Sequence, residues 1–481
     1  MRRLWTATSL LLSASAFAQT ADPTYDLLVL GGTLVTMDRS APLIADGFIA
    51  VRDGRIAALG TRQRLPAGAT AAETLDAEGR LVLPGFINTH THSPMCLLRG
   101  VADDQSLFPW LLDRIFPLEE ELVDPEFIRA GAELAALEML RSGITAFAEN
   151  YFYDDVTAEV ARQAGLRVVL GFGLPASSLG EDGTVSEEQV ENLRTAMRRY
   201  RDDPLVTPGL GTHSPYRTAP AILKRLRGLA EEFDVPLQIH LSETRDEVDT
   251  VRKEHGRSST EYLDSLGFLD AHTLAAHAIW LSDADIAILA QREVKVAHCP
   301  ESNQKLASGV CPVPKLLAAG VTVGLGTDGA ASNNNLDFFE TVNAAINQAR
   351  VATLDPRALD AARGLELATV GGARCFGRDD LGALAIGKRA DFSLITTGRP
   401  EVQPMYDPFS HLAYVLRSTD VETVVVDGRV VLRDRRPVGL DVAELLERVG
   451  KQRERVARSL VRRGWGQPSL LPQTQPEAMK P

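Results

Sequence analysis

The chain is poor in the residues that build covalent or metal scaffolds. Among 481 residues there are four cysteines and nine histidines. Cys96, Cys299, Cys311 and Cys375 form no CxxC pair. That excludes a disulfide framework and leaves buried free thiols as the expectation. Basic residues are also in deficit: 51 Lys and Arg stand against 64 Asp and Glu, a net charge of −13. A chain without a basic footprint is not built to hold nucleic acid by its phosphates. No apolar run reaches the ~20 residues that cross a bilayer as a helix, so no stable membrane insertion is expected. What is present is ordinary: 44% hydrophobic and 24% charged residues, the composition of a globular chain with a sizeable core.

The start has its own texture. Arg2-Arg3 precede an apolar stretch from Leu4 to Phe17, and Ala16-Phe17-Ala18 offers a small-x-small cleavage pattern. These features predict a signal peptide over residues 1–18 and an exported protein, periplasmic or secreted. Residues 19–82 read as short strands and turns, with Asp53-Gly54 between alternating apolar runs as a hairpin signal. The same pattern returns over residues 381–437, where Asp427-Gly428 separates two valine-rich runs. Isolated hairpins bury too little to stand alone, so the two segments are expected to join in one small β-sandwich.

Residues 83–380 alternate strand and helix patterns. Eight strands are expected, around Phe86-Ile87, Ala146-Phe147, Val168-Val169, Val206 to Leu210, Leu237-Gln238-Ile239, Leu274-Ala275, Val296-Ala297 and Val323-Gly324. Eight such units predict a parallel (β/α)8 barrel of the TIM type. Residues 438–481 read as a helix followed by a loose Pro/Gln-rich tail.

The few histidines cluster where such barrels carry chemistry, at the C-terminal ends of strands. His90-Thr91-His92 closes the first strand, and a spacing of two puts both imidazoles on one face. His240 closes the fifth, with Glu243 three residues on, and His277 closes the sixth. Asp328, in Gly326-Thr327-Asp328-Gly329, follows the eighth. Each has a bland reading alone, as a core histidine or a simple turn. All of them in order, each closing a strand, point to a metal-dependent hydrolytic site held by imidazoles and a carboxylate. No lysine closes the fourth strand, which favours one metal over a bridged pair.

On these residues the chain resembles the amidohydrolase superfamily, in its mononuclear deaminase branch. It is similar to the 5′-methylthioadenosine/S-adenosylhomocysteine deaminases and the related triazine hydrolases. The matching stretches begin at Pro84-Gly85-Phe86, at His240-Leu241-Ser242-Glu243, at Pro300-Glu301-Ser302-Asn303 and at Gly326-Thr327-Asp328-Gly329-Ala330-Ala331-Ser332-Asn333. The resemblance implies one divalent metal per subunit, zinc with iron or manganese as alternatives, held by His90, His92, His240 and Asp328. It implies Glu243, His277 and Asp328 as catalytic groups. It implies an adenosine-type amino-purine nucleoside as substrate and a homo-oligomer, dimer or tetramer. Trp110 and Glu119 fall in the family's W…PLE segment, where the Glu binds ribose hydroxyls. His213 matches a substrate-contacting histidine, and His298 is either a pocket residue or a core one. Where some members carry an arginine after the third strand, this chain has Gly171-Phe172-Gly173, so a neutral tail on the substrate is expected. The rival readings are another amino-heterocycle (guanine, a pterin or a triazine) and a non-catalytic metal-binding homologue.

Overall fold

The computed structural model describes residues 24–466. The signal peptide expected over residues 1–18 and the tail from 467 onward lie outside the described residues. Barrel strands β1 (Phe86–Thr91), β2 (Ile144–Glu149) and β3 (Arg167–Val169) are followed by β4, in two pieces, Val206–Thr207 and Leu210–Gly211. Strands β5 (Leu237–Leu241), β6 (Thr273–His277), β7 (Lys295–His298) and β8 (Thr322–Leu325) complete the set. The first piece of β4 pairs with β3 (Val206 opposite Val168) and the second with β5 (Leu210 opposite Leu237). Strand β8 pairs back to β1 at Leu325 and Asn88. All these pairings are parallel, so the sheet closes on itself through the broken strand.

The break departs from the continuous fourth strand expected from sequence. Its cause is Pro208-Gly209: the proline has no N–H to give the ladder. A side chain on Gly209 would meet the Leu170 carbonyl at 2.4 Å. Helices separate the strands, such as Pro125–Arg141 before β2 and Pro220–Phe233 before β5. The former starts on Asp124, whose side chain accepts from Phe127 N–H, a cap on the otherwise orphaned first turn.

The chain ends form two further sheets. A four-stranded sheet contains Thr24–Leu30, Gly47–Arg52, Arg55–Thr61 and Thr70–Asp76. A seven-stranded sheet combines N-terminal strands, Arg80–Pro84 among them, with Phe392–Thr396, Val421–Val426 and Arg429–Arg433. Both expected hairpins form, with Asp53, Gly54, Asp427 and Gly428 all at positive φ, the turn geometry that matches strand twist. Leu27, Val29 and Ile49 of one sheet share a core cluster with Val82, Phe392 and Val425 of the other. The terminal helix Val442–Arg462 lies along the barrel: Arg448 donates to the buried Glu133 at 2.8 and 3.0 Å. All four cysteines are free and buried. Among the described residues no helix is long and apolar enough to cross a membrane.

Candidate active site

Strands β1 and β8 must approach closely to bring Asp328 beside the first two histidines. The Asn88 amide donates to Thr327 Oγ1 at 2.8 Å and its oxygen accepts Thr327 N–H at 3.0 Å. Asp328 N–H reaches the His90 carbonyl at 3.0 Å. Gly326 permits this approach, since an added Cβ would sit 3.0 Å from three atoms of His90. Asp328 and His277 both hold positive φ, 61° and 69°. Left-handed backbone is strained for such residues and is retained at sites the surroundings over-determine.

The imidazoles converge at this mouth. His90 is 2% exposed and His240 8% exposed. His92 Nε2 and His240 Nε2 are 3.2 Å apart. His92 Nδ1 lies 2.6 Å from the Asn150 carbonyl, and His240 Nδ1 lies 2.6 Å from the His213 carbonyl. A carbonyl only accepts, so each Nδ1 carries the proton and each Nε2 carries a lone pair. Two lone pairs facing each other at that distance repel unless a cation lies between them. The buried His90 Nε2 has no hydrogen-bond partner among the described residues. Asp328 Oδ1 is 3.6 Å from His90 Nε2 and 3.4 Å from His92 Nε2. This donor set fits one divalent ion, with second partners fixing the His92 and His240 rings. Burial holds the pKa of His90, His92 and His240 below the usual histidine value, the protonation state that ligation needs.

The remaining groups are placed for proton transfer. Burial would raise Asp328, but the neighbouring histidines and Ser302 outweigh it and hold its carboxyl well below the usual range. Ser302 and Ser332 hydroxyls donate to Asp328 Oδ2 at 2.7 and 2.9 Å. Glu243 is pushed up to about 7, chiefly by burial. It lies 3.8 Å from His277 Nε2. Burial alone would lower His277, yet Glu243 and Asp328 raise it, and its Nδ1 sits 2.9 Å from Asn303 Oδ1. Glu247 accepts the backbone N–H groups of Ser242 and Glu243 at 2.8 and 2.9 Å, which fixes the loop that aims Glu243.

The expected substrate-side residues divide. Glu119 is buried and accepts the Tyr151 hydroxyl at 2.6 Å, with burial pushing its carboxyl up to about 7. The Tyr151 ring centroid is 5.9 Å from that of His92, so Glu119 belongs to the same mouth. The His213 ring lies 5.0 Å from His240. Trp110 instead packs in a core cluster with Leu107, Leu111 and Leu118, and its Nε1 has no acceptor among the described residues. His298 closes β7 fully buried, with burial and then His277 pushing it down to about 3.

Sequence reasoning gave no role to Ser302, Asn303, Ser332, Tyr151 or Glu247. Ser302, Asn303 and Ser332 stand inside the quoted motifs, which is the signal that was there to read. A separate cavity of about 360 Å³, lined by Arg141, Ser142, Asn335 and Arg435 among others, holds no histidine.

Comparison with known proteins agrees with this geometry. A model of the amidohydrolase family matches residues 81–431. A 5-methylthioadenosine/S-adenosylhomocysteine deaminase of Syntrophobacter fumaroxidans is 42% identical over 428 residues, covering 88% of this chain and 97% of that protein. A 5′-deoxyadenosine deaminase of Methanopyrus kandleri is 41% identical over 423 residues, covering 88% and 97%. A solved adenosine deaminase from Xanthomonas campestris with bound zinc superposes with a TM-score of 0.86 at 37% identity, covering 91% of this chain and 99% of that one.

The expectation of export is corrected at this point. Nearly the whole length of the bacterial and archaeal deaminases is accounted for by matches of 428 and 423 residues. The stretch read as a leader lies outside the described residues. An arginine pair before a short apolar run is a compositional cue that no other observation joins, and the export reading is withdrawn.

Proposed function

We propose, from the premise that this chain belongs to the amidohydrolase family, that it is a metal-dependent hydrolytic deaminase of adenosine-type nucleosides. It replaces the exocyclic amine of the purine with oxygen and releases ammonia. The observation that carries this reading is the convergence of the His90 and His92 Nε2 lone pairs on Asp328, with His240 Nε2 against His92 and with Glu243 and His277 beside them.

His90, His92, His240 and Asp328 would hold the ion, which we take to be zinc. When bound, it supplies Lewis acidity that brings the pKa of a water toward neutrality. Asp328 takes a proton from the attacking water and passes it to the leaving amine, its Oδ2 kept in place by Ser302 and Ser332. Glu243, with a pKa of about 7, is populated in its acid form near neutrality and gives its proton to the ring nitrogen beside the reacting carbon. His277, oriented through Asn303, stabilises the negative charge that develops on the attacking oxygen.

Glu119, steadied by Tyr151, binds the ribose hydroxyls, and His213 contacts the substrate. The buried positions of Trp110 and His298 suit support of these walls. The two small sheets form one accessory sandwich, from the described part of residues 19–82 and from residues 381–437, beside a barrel over residues 83–380. Self-association into a dimer or tetramer completes the reading and is checked by mass in solution.

The test is metal analysis of the purified protein followed by an ammonia-release panel. The panel contains adenosine, 5′-deoxyadenosine, 5′-methylthioadenosine, S-adenosylhomocysteine, guanine and a triazine. Turnover confined to guanine or the triazine would overturn the nucleoside reading.

A further inference from the structure

A second group of charged side chains gathers away from the histidines. The helix Pro125–Arg141 runs into β2, so Arg141 and Ser142 lie by the strand starts, whereas the histidines close the strand ends. Phe338 N–H donates to Ser142 Oγ at 2.7 Å, and the Asp337 carboxylate accepts the Ser418 hydroxyl. The barrel helix, the segment leaving the Asp328 turn and the approach to the accessory strand Val421–Val426 thus meet here, around the cavity of about 360 Å³. That volume suits a small organic molecule. Leu134, Leu137 and Leu336 give the cavity an apolar side.

Arg141 and Arg435 also line it. Arg141 is held by its Nε, which donates to the Arg435 carbonyl at 3.2 Å. Arg435 is held by Nη1, which donates to the Ser418 and Val421 carbonyls at 2.6 and 2.8 Å. All three acceptors are neutral. Among the described residues neither guanidinium makes an ion pair, and both terminal nitrogens of Arg141 and Nη2 of Arg435 make no hydrogen bond. The carboxylates of the wall are engaged elsewhere: Glu138 with Leu336 N–H and Arg99, Asp337 with Phe339 N–H and Ser418, Glu340 with the Asn335 amide. Burial and then Arg141 hold Arg435 below the usual arginine pKa, although Asp420 and Asp337 act against them. Two positive charges are therefore pinned at this cavity by backbone carbonyls, with no carboxylate in contact with either.

The backbone is strained to deliver one of them. Asp434 and Arg435 connect the strands Arg429–Arg433 and Arg436–Pro437, with φ of 47° and 63°. Two-residue turns with both φ positive favour glycine in second place, and the turns at Asp53-Gly54 and Asp427-Gly428 have it. At Arg435 a side chain stands in the left-handed region at a conformational cost. We propose that this cavity is a binding site for a small organic anion, whose carboxylate or phosphate bridges Arg141 and Arg435 and whose apolar part lies against Leu134, Leu137 and Leu336. Paired guanidinium forks match the geometry of either headgroup. The site is separate from the catalytic mouth and does not depend on the deaminase reading.

The experiment is titration calorimetry on zinc-loaded protein with phenyl phosphate, phenylacetate, inorganic phosphate and, as a neutral control, benzyl alcohol. Wild type is expected to bind at least one of the two aromatic anions at a single site per chain and to ignore benzyl alcohol. The anion that binds more tightly identifies the headgroup. Arg141→Gln should weaken that binding roughly tenfold, the worth of a charge-assisted hydrogen bond, with zinc content unchanged. Arg141→Lys keeps the charge without the planar fork and falls between. Arg435→Gln is the second variant and should show the same loss. Removing zinc should alter the affinity by less than about twofold, the size of effect left where no partner is removed. No binding by wild type up to about 10 mM, or full affinity in both glutamine variants, overturns the proposal. Binding that disappears with the zinc places the anion on the metal and overturns it too. Inorganic phosphate bound as tightly as phenyl phosphate means an adventitious ion only, and the organic ligand falls.

Discussion

Glu119 stands where function and stability pull in opposite directions, and Glu119→Gln separates them. The side chain is buried, takes one hydrogen bond from Tyr151, and has its pKa raised from 4.5 to about 7 by burial. The folded value lies above the unfolded one, so between those two pH values the folded chain binds the extra proton. Stability is therefore fully present below about pH 4.5, falls as pH rises through 7, and levels off above it. At about 1.4 kcal/mol per tenfold change, holding Glu119 ionised at pH 8 costs at most about 3.5 kcal/mol. Glutamine still accepts the Tyr151 hydroxyl but never ionises. Glu119→Gln should then melt a few °C above wild type at pH 8 and match it at pH 4.5. The same change removes the anionic acceptor for ribose hydroxyls, so kcat/KM for adenosine should fall about 10- to 100-fold, the worth of a charge-assisted hydrogen bond. Scanning calorimetry across pH on zinc-loaded protein, with an adenosine assay alongside, checks both halves. A Glu119→Gln protein that is less stable than wild type at pH 8, or whose advantage does not change with pH, would refute the argument.

Other residues give sharper single readouts. Glu243→Gln should keep its metal and lose kcat by about 10²- to 10⁴-fold, the usual contribution of a general acid; near-normal turnover removes Glu243 from the mechanism. Chelation should abolish ammonia release and lower the melting temperature, since ligand at 100 times its Kd stabilises by about 2.7 kcal/mol. Zinc should restore both, and activity that survives complete metal removal contradicts the site described. Gly326→Ala forces a methyl to within 3.0 Å of His90 and should destabilise the protein by about 1–3 kcal/mol. Its metal affinity should fall as well, because β1 and β8 move apart. Unchanged zinc binding would mean that Asp328 is not delivered by that approach.

The barrel strands and the cluster of side chains at their ends were legible because they obey local rules. Each of His90, His240 and His277 ends a short apolar strand, and Asp328 sits in the Gly-rich turn after another, so strand period and turn residues sufficed. The broken β4 was not legible, since Val206 to Leu210 reads as one apolar run. What splits it is the missing Pro208 N–H together with the Leu170 carbonyl pressed against Gly209. The partners of the ligands were hidden for a different reason. Ser302 lies 26 residues from the Asp328 it supports, and Tyr151 lies 32 from Glu119. Contacts of that span exist only after the barrel closes.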